Sequence, residues 1–236
     1  MFPTYQHALI IGAGSGLSAS LTRRFVRGGL AVSLAARTPE DLAALTDETG
    51  AVAYRCNAAD RDEVAALFAR LDDGPAGAPD VLVYNPSARV RGALVELDPD
   101  AVANAVAVTA LGAFYAAQEA VKRMQPAGHG AVLFTGASAG VKGYARSAPF
   151  AMGKFALRGL AQSMARELHP QGIHIGHFVI DGGIRNLDRP ERIDPEDAPD
   201  SRLEPNAIAE TYWHFLAQDR SAWAWEIELR PWVERF

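Results

Sequence analysis

Phe150-Ala151-Met152-Gly153-Lys154, with Ser138 twelve positions before Phe150, is the stretch of this chain whose residue types and spacing bear most directly on chemistry. Four residues on a helix make about one turn, so Phe150 and Lys154 share a face. A Tyr at position 150 would set a phenol beside an ammonium, with the Ser138 hydroxyl arriving from the preceding strand. Such a trio can hold and protonate a carbonyl oxygen. Here the phenol lacks its hydroxyl. Losing an acid costs ~3–5.5 kcal/mol of barrier, whereas positioning two reactants is worth ~7–11 kcal/mol. A well-positioned site without the acid is therefore expected to remain a slow catalyst. As a plain apolar residue, Phe150 serves equally well to pack the start of a helix. Tyr144, in the loop Gly140 to Ser147, is the replacement phenol within reach, and it would serve equally well as a wall residue. Water relayed from Lys154, or Ser147, are weaker options.

A second constellation lies near the start. Ile10-Ile11-Gly12-Ala13-Gly14-Ser15-Gly16-Leu17-Ser18 follows an apolar run and opens a helical pattern. Glycines permit a tight turn and close backbone approach, and a helix N-terminus offers unpaired N–H groups to phosphate. At the first strand–helix junction this reads as a dinucleotide cradle. The next strand ends in Ala35-Ala36-Arg37-Thr38, with no acid to bind a ribose 2′-hydroxyl. Arg37 is placed to pair with a 2′-phosphate, so NADP(H) is favoured over NAD(H).

The elements that must position these groups alternate. Short apolar runs at Ala8–Ile11, Ala31–Ala35, Ala51–Tyr54, Val81–Tyr84, Ala131–Thr135, Ile173–Ile180 and Trp225–Leu229 predict strands. Helical patterns fall near 16–27, 40–48, 61–71, 99–124, 149–169 and 205–217. Pro39, Pro99 and Pro149 sit near helix starts, where a missing N–H costs little, and Gly28-Gly29 ends the first helix. This order predicts an α/β fold: a three-layer, Rossmann-like, doubly wound parallel sheet of about seven strands with helices on both faces. The whole chain, 1–236, reads as one domain. Within it, 182–205 is too long and too polar for an ordinary connection. Leaving the carboxyl end of a strand, it reads as a lid over a pocket.

The bulk numbers limit the alternatives. A chain of 236 residues, 49% apolar and 22% charged, can bury one large core. A net charge of −5 gives no electrostatic reason to bind nucleic acid or an anionic membrane. No run of eighteen uninterrupted apolar residues predicts a spanning helix. The start lacks a basic n-region and reads as a buried strand rather than a signal peptide. Cys56 is the one cysteine, which fits a reducing, cytoplasmic setting. The histidines lack metal-ligand spacing, and no metal site is predicted.

Along nearly its whole length the sequence resembles the short-chain dehydrogenase/reductase family. The family's Gly-x-x-x-Gly-x-Gly pattern falls on Gly12, Gly16 and Ser18, and its catalytic Asn, Ser, Tyr and Lys fall on Thr109, Ser138, Phe150 and Lys154. The resemblance implies a nicotinamide coenzyme held by Gly12, Gly14, Ser15, Gly16 and Leu17, by Arg37, and by Asn57 and Ala58 at the adenine. It also implies contacts from Asn85 and Ser87, from Lys154 at the ribose, and from Gly182, Gly183 and Ile184 at the nicotinamide, with Asn186 where a Thr often binds the carboxamide. Expected activity is hydride transfer between NADP(H) and a small-molecule carbonyl or alcohol. The alternative is an NADP(H)-binding sensor or partner-binding protein without redox catalysis. The family also implies a homodimer or homotetramer through the helices near 99–124 and 149–169. The tail, with Trp223, Trp225 and Trp232, reads as a last strand and an aromatic anchor for a neighbouring subunit.

Overall fold

The computed structural model describes residues 4–234. Its strands are β1 (His7–Ile11), β2 (Ala31–Ala36), β3 (Val52–Arg55), β4 (Val81–Tyr84), β5 (Gly130–Thr135), β6 (Ile173–Ile180), the short β7 (Gly183–Ile184) and β8 (Arg202–Leu203), and β9 (Glu226–Leu229). Its helices are α1 (Leu17–Arg27), α2 (Ala43–Thr49), α3 (Arg61–Asp72), α4 (Pro99–Val106), α5 (Gly112–Met124), α6 (Ala148–Leu168) and α7 (Pro205–Leu216).

Alternation along the central strands sorts the core. Ile10, Leu34, Val83 and Leu133 pack with Leu21 and Phe25 of α1 and with Tyr212 and Phe215 of α7. Leu9, Ile11, Leu82 and Val132 face the other way, onto Phe68 of α3, Ala116 of α5 and Leu157 of α6. Both faces of the sheet are thus covered, as parallel strands require. Seven strands form one parallel sheet in the order β3-β2-β1-β4-β5-β6-β9. The chain reverses its winding between β1 and β4, and ligands of open α/β sheets bind outside the carboxyl ends at such a point.

Local chemistry sets the helix ends. The Asp60 side chain accepts from the N–H groups of Asp62 and Glu63 to start α3. Pro99, Pro149 and Pro205 each occupy the first turn of their helices. Gly28 leaves room for the Trp213 ring, and the chain leaves α1 through Gly29 at φ +91°.

Three features differ from the sequence reading. The helix expected over 99–124 is interrupted by a π turn, Ala107–Leu111. The segment 182–205 is not bare loop: β7 and β8 pair in a two-stranded ribbon, with a 3₁₀ turn at Pro190–Arg192. Trp223 does not reach outward; it stacks on His174 inside the chain, ring centroids 4.2 Å apart. Trp232 is 82% exposed. The helical run Pro99–Ala127 has a mean hydropathy of 1.3, enough by length and composition to cross a membrane. In this fold Ala113, Ala116, Ala117 and Ala120 of that run are buried.

Candidate active site

The cradle begins where β1 meets α1. Gly12 has φ +80°, and a Cβ there would lie 2.7 Å from the Pro86 nitrogen. Only glycine fits that combination. A Cβ on Gly14 would meet nothing within 4 Å, so this turn is open above its backbone. No acidic residue occupies the first turn of α1 and no side chain caps it. Among the described residues, the N–H groups of Gly14, Ser15 and Gly16 make no hydrogen bond. An open, donor-rich turn with no competing carboxylate fits a pyrophosphate.

Ser18 does more than stand in for a glycine. Its hydroxyl donates to the Gly12 carbonyl at 3.0 Å and accepts from Asn85 Nδ2 at 2.9 Å. Asn85 Nδ2 also reaches the Gly12 carbonyl at 3.2 Å. The retained Asn thus ties the end of β4 to the turn. Asn186, buried in the segment after β6, donates from Nδ2 to Ser15 Oγ at 3.4 Å. This bond brings the 182–205 segment onto the turn. Leu17 is buried in the core; Ser15 is exposed beside it.

The remaining residues expected to hold the coenzyme are placed as follows. Arg37 is exposed at the end of β2. Asn57 Oδ1 accepts from Ala59 N at 3.2 Å, so the side-chain amide is the free end and the carbonyl already serves the turn. Ala58 is buried and Ser87 exposed. Gly182 takes φ +149°, against Leu203 and Pro231. Gly183 and Ile184 form β7.

The residues expected to act on a substrate lie at the end of β5 and along α6. Ser138 follows β5 in a 3₁₀ turn, half-buried, and its backbone carbonyl receives the N–H groups of Val141 and Lys142. Among the described residues its hydroxyl makes no hydrogen bond. Phe150 and Lys154 are both buried on α6. Lys154 Nζ donates to the Thr135 carbonyl at 2.6 Å and lies 5.9 Å from the centre of the Phe150 ring. Burial, with the Arg89 guanidinium adding to it, pushes the Lys154 ammonium down to about 7.

Thr109 sits in the π turn, fully buried against Gly153 of α6. Its Oγ1 accepts from Ala88 N at 3.2 Å, so it fixes the loop after β4. The π turn needs a partner for its displaced carbonyls, and Tyr84 supplies one: its hydroxyl donates to the Val108 carbonyl at 2.5 Å. Tyr144 lies in the loop before α6. It is 44% exposed on the rim, with Lys142 Nζ 5.5 Å from its ring centre. The structure therefore brings Phe150, Lys154 and Thr109 together, with Ser138 in the turn packed on α6.

Sequence reasoning missed two participants. Arg89 sets its guanidinium carbon 4.4 Å from the centre of the Phe150 ring. The Arg89-Val90-Arg91 triplet, one residue after Asn85-Pro86-Ser87, was the available signal. The role of Tyr84 had no signal, because the π turn it serves is invisible to periodicity.

A seven-stranded parallel sheet carrying a glycine turn, a strand-end Ser and a helical Lys defines a dinucleotide-fold oxidoreductase scaffold. The family model for short chain dehydrogenase matches residues 6–184, and the chain belongs to the short-chain dehydrogenase/reductase family. Over 174 residues it is 33% identical to the cyclic-di-GMP-binding biofilm dispersal mediator protein of Escherichia coli, covering 73% of this chain and 70% of that protein. A short-chain dehydrogenase of Rhodopseudomonas palustris is 31% identical, with a TM-score of 0.82 over 98% of this chain and 100% of the other. A Tyr-to-Phe variant of ElxO, solved with NADPH bound, superposes with a TM-score of 0.80 over 92% of each chain at 22% identity.

Proposed function

We propose that the chain is an NADP(H)-dependent oxidoreductase acting on a small-molecule carbonyl or alcohol. The observation that carries this reading is the buried Lys154 ammonium, held at the Thr135 carbonyl that ends β5, on the same parallel sheet whose first strand leads into an open glycine turn. The family and the R. palustris dehydrogenase support hydride transfer. The ElxO variant supports coenzyme binding on such a fold when a Tyr has become Phe.

When bound, the reduced nicotinamide supplies a hydride to the substrate carbon. The chain's own residues do the rest. Gly14, Ser15 and Gly16 offer N–H groups to the pyrophosphate, and Arg37 pairs with the 2′-phosphate. The free Ser138 hydroxyl holds the substrate oxygen. Lys154 binds the ribose hydroxyls and is the proton source. Its ammonium releases a proton to the new alkoxide through water, becomes an amine, and is reprotonated from solvent. An acid that titrates near neutrality is matched to that task. Tyr144, on the rim, is left as a wall residue. The segment 182–205 acts as a lid, with Asn186 latched to Ser15.

NADPH oxidation against a panel of aldehydes, ketones and quinones tests the reading. The expected result is slow turnover that declines as pH rises above about 7, where Lys154 loses its proton. Coenzyme binding without turnover on any member would instead favour the nucleotide-binding sensor. A homo-oligomer is part of the proposal. Leu111, Phe114, Met152 and Phe155 are 48%, 44%, 54% and 46% exposed on or beside α5 and α6, and a second copy would cover them. Light scattering at a single-chain mass would remove that part.

A further inference from the structure

Two basic side chains meet at Phe150. The Arg89 guanidinium carbon lies 4.4 Å from the ring centre, and Lys154 Nζ lies 5.9 Å from it. Arg89 is exposed overall, yet its backbone is held on both sides. Ala88 N donates to Thr109 Oγ1 at 3.2 Å, and Gly92 N donates to the Arg146 carbonyl at 3.2 Å. The loop that presents Arg89 is thus fastened to the π turn below and to the loop before α6 beside it.

Positive charge is added from both neighbours. Arg91, on the same loop, and Arg192, on the lid, lie close enough to act on Arg89; partial desolvation first, and these two cations next, lower its pKa. Elsewhere the chain pairs its arginines with acids: Arg23 with Glu48, Arg24 with Glu210, Arg123 with Asp72, Arg158 with Glu226. Among the described residues no carboxylate forms an ion pair with Arg89, Arg91, Arg192 or Lys154. Uncompensated charge of one sign in a cleft concentrates counter-ions there. A guanidinium fork matches the two oxygens of a carboxylate or phosphate.

We propose that Arg89, with Arg91 and Arg192 at the rim, binds an anionic group on the substrate, so that the carbonyl or alcohol reduced or oxidised beside Ser138 carries a carboxylate or a phosphate monoester. This rests on the reading of the Ser138–Phe150–Lys154 group as the substrate site. Its geometry explains two departures together. Phe150 offers an apolar face on which a guanidinium can stack. Thr109 uses its hydroxyl to hold the loop that carries the guanidinium.

The test is calorimetric titration of the full chain, saturated with NADP⁺, with three ligands of one shape: cyclohexanecarboxylate, cyclohexyl phosphate and methyl cyclohexanecarboxylate. At least one anion is expected to bind tenfold to a hundredfold more tightly than the neutral ester, the range of a charged hydrogen-bonded pair, roughly. Arg89→Gln should erase that preference, and Arg192→Gln should reduce it. Which anion leads identifies the group. Equal binding of all three, binding of none, or a preference that survives Arg89→Gln overturns the proposal. Should Arg89→Gln fail to fold, the exposed pair Arg91→Gln and Arg192→Gln takes its place.

A kinetic arm separates this idea from the redox reading. With NADPH, 4-oxocyclohexanecarboxylate is compared with its methyl ester by kcat/KM. Faster reduction of the acid supports both. Equal reduction of the two overturns the anion site while the redox reading stands. No reduction of either, with the anion preference intact in calorimetry, overturns the redox reading and leaves the anion site standing.

Discussion

The two sides of the cleft are built by different means. The proposed coenzyme side is backbone geometry: a glycine at φ +80°, an open turn at Gly14, and an Asn85–Ser18–Gly12 tie that holds the turn to β4. The proposed substrate side is side-chain chemistry: Phe150 without a hydroxyl, Lys154 buried, Arg89 stacked above the ring, Thr109 holding the loop. Side chains on such a frame can be exchanged without moving it. Gly12 cannot be exchanged in the same way, because a Cβ there would run into Pro86. On the proposed reading, a coenzyme cradle and a proton-handling set diverge independently on one fold.

Removing Lys154 strikes both sides and should have the largest effect. Lys154→Met is expected to lower kcat/KM for NADPH-dependent reduction by roughly 10²–10⁴, the worth of a general acid. It should also weaken coenzyme binding through the lost ribose contact. The same residue gives a stability signature. Folded, Lys154 titrates near 7; unfolded, it returns toward the ordinary 10.5. Between those values the unfolded chain binds more protons, so stability rises with pH across that window. Below about 7 the cost of burying the ammonium is fully present. Urea denaturation of the coenzyme-free protein from pH 7 to 10 should show the rise, and Lys154→Met should flatten it.

Phe150→Tyr tests the substrate side alone. It restores a phenol one turn from Lys154 and should raise kcat tenfold to a hundredfold, roughly, within the range of acid catalysis. Coenzyme affinity should not change. No gain in rate would mean that Arg89 and its loop have remodelled the pocket beyond use of the phenol.

Tyr84→Phe separates frame from chemistry. It leaves the Val108 carbonyl of the π turn without its donor. A loss of ~1–3 kcal/mol in unfolding free energy is expected, with KM rising as Thr109 and Arg89 loosen. A change in neither would detach the π turn from the site.

Arg37→Ala addresses the coenzyme side and should have the smallest effect. About tenfold weaker NADPH binding with NADH unchanged is the expected outcome, since a charged hydrogen bond at an exposed position contributes at the low end of its range. Equal weakening of both coenzymes would place Arg37 away from the 2′-phosphate.

Most of the frame was legible in the sequence because buried parallel strands announce themselves as apolar runs. Val81–Tyr84 and Ile173–Ile180 appear in the structure at the same bounds. The glycine turn and the pairing of Phe150 with Lys154 were legible because both are local. What escaped depended on distance in sequence. Arg89 meets Phe150 only through the β4–α4 loop, the Tyr84 hydroxyl at the end of the central strand meets Val108 24 residues on, and Trp223 folds back onto His174. Periodicity also could not reveal the π turn, since one extra residue in a helix leaves the apolar pattern of Ala-rich sequence nearly unchanged.

The central claim is that the cradle still holds a pyridine coenzyme although its phenolic acid is gone. Calorimetric titration of the unaltered chain with NADPH tests it most directly. The account predicts saturable, one-per-chain binding in the micromolar range; no heat of association for NADPH up to millimolar concentration would contradict it.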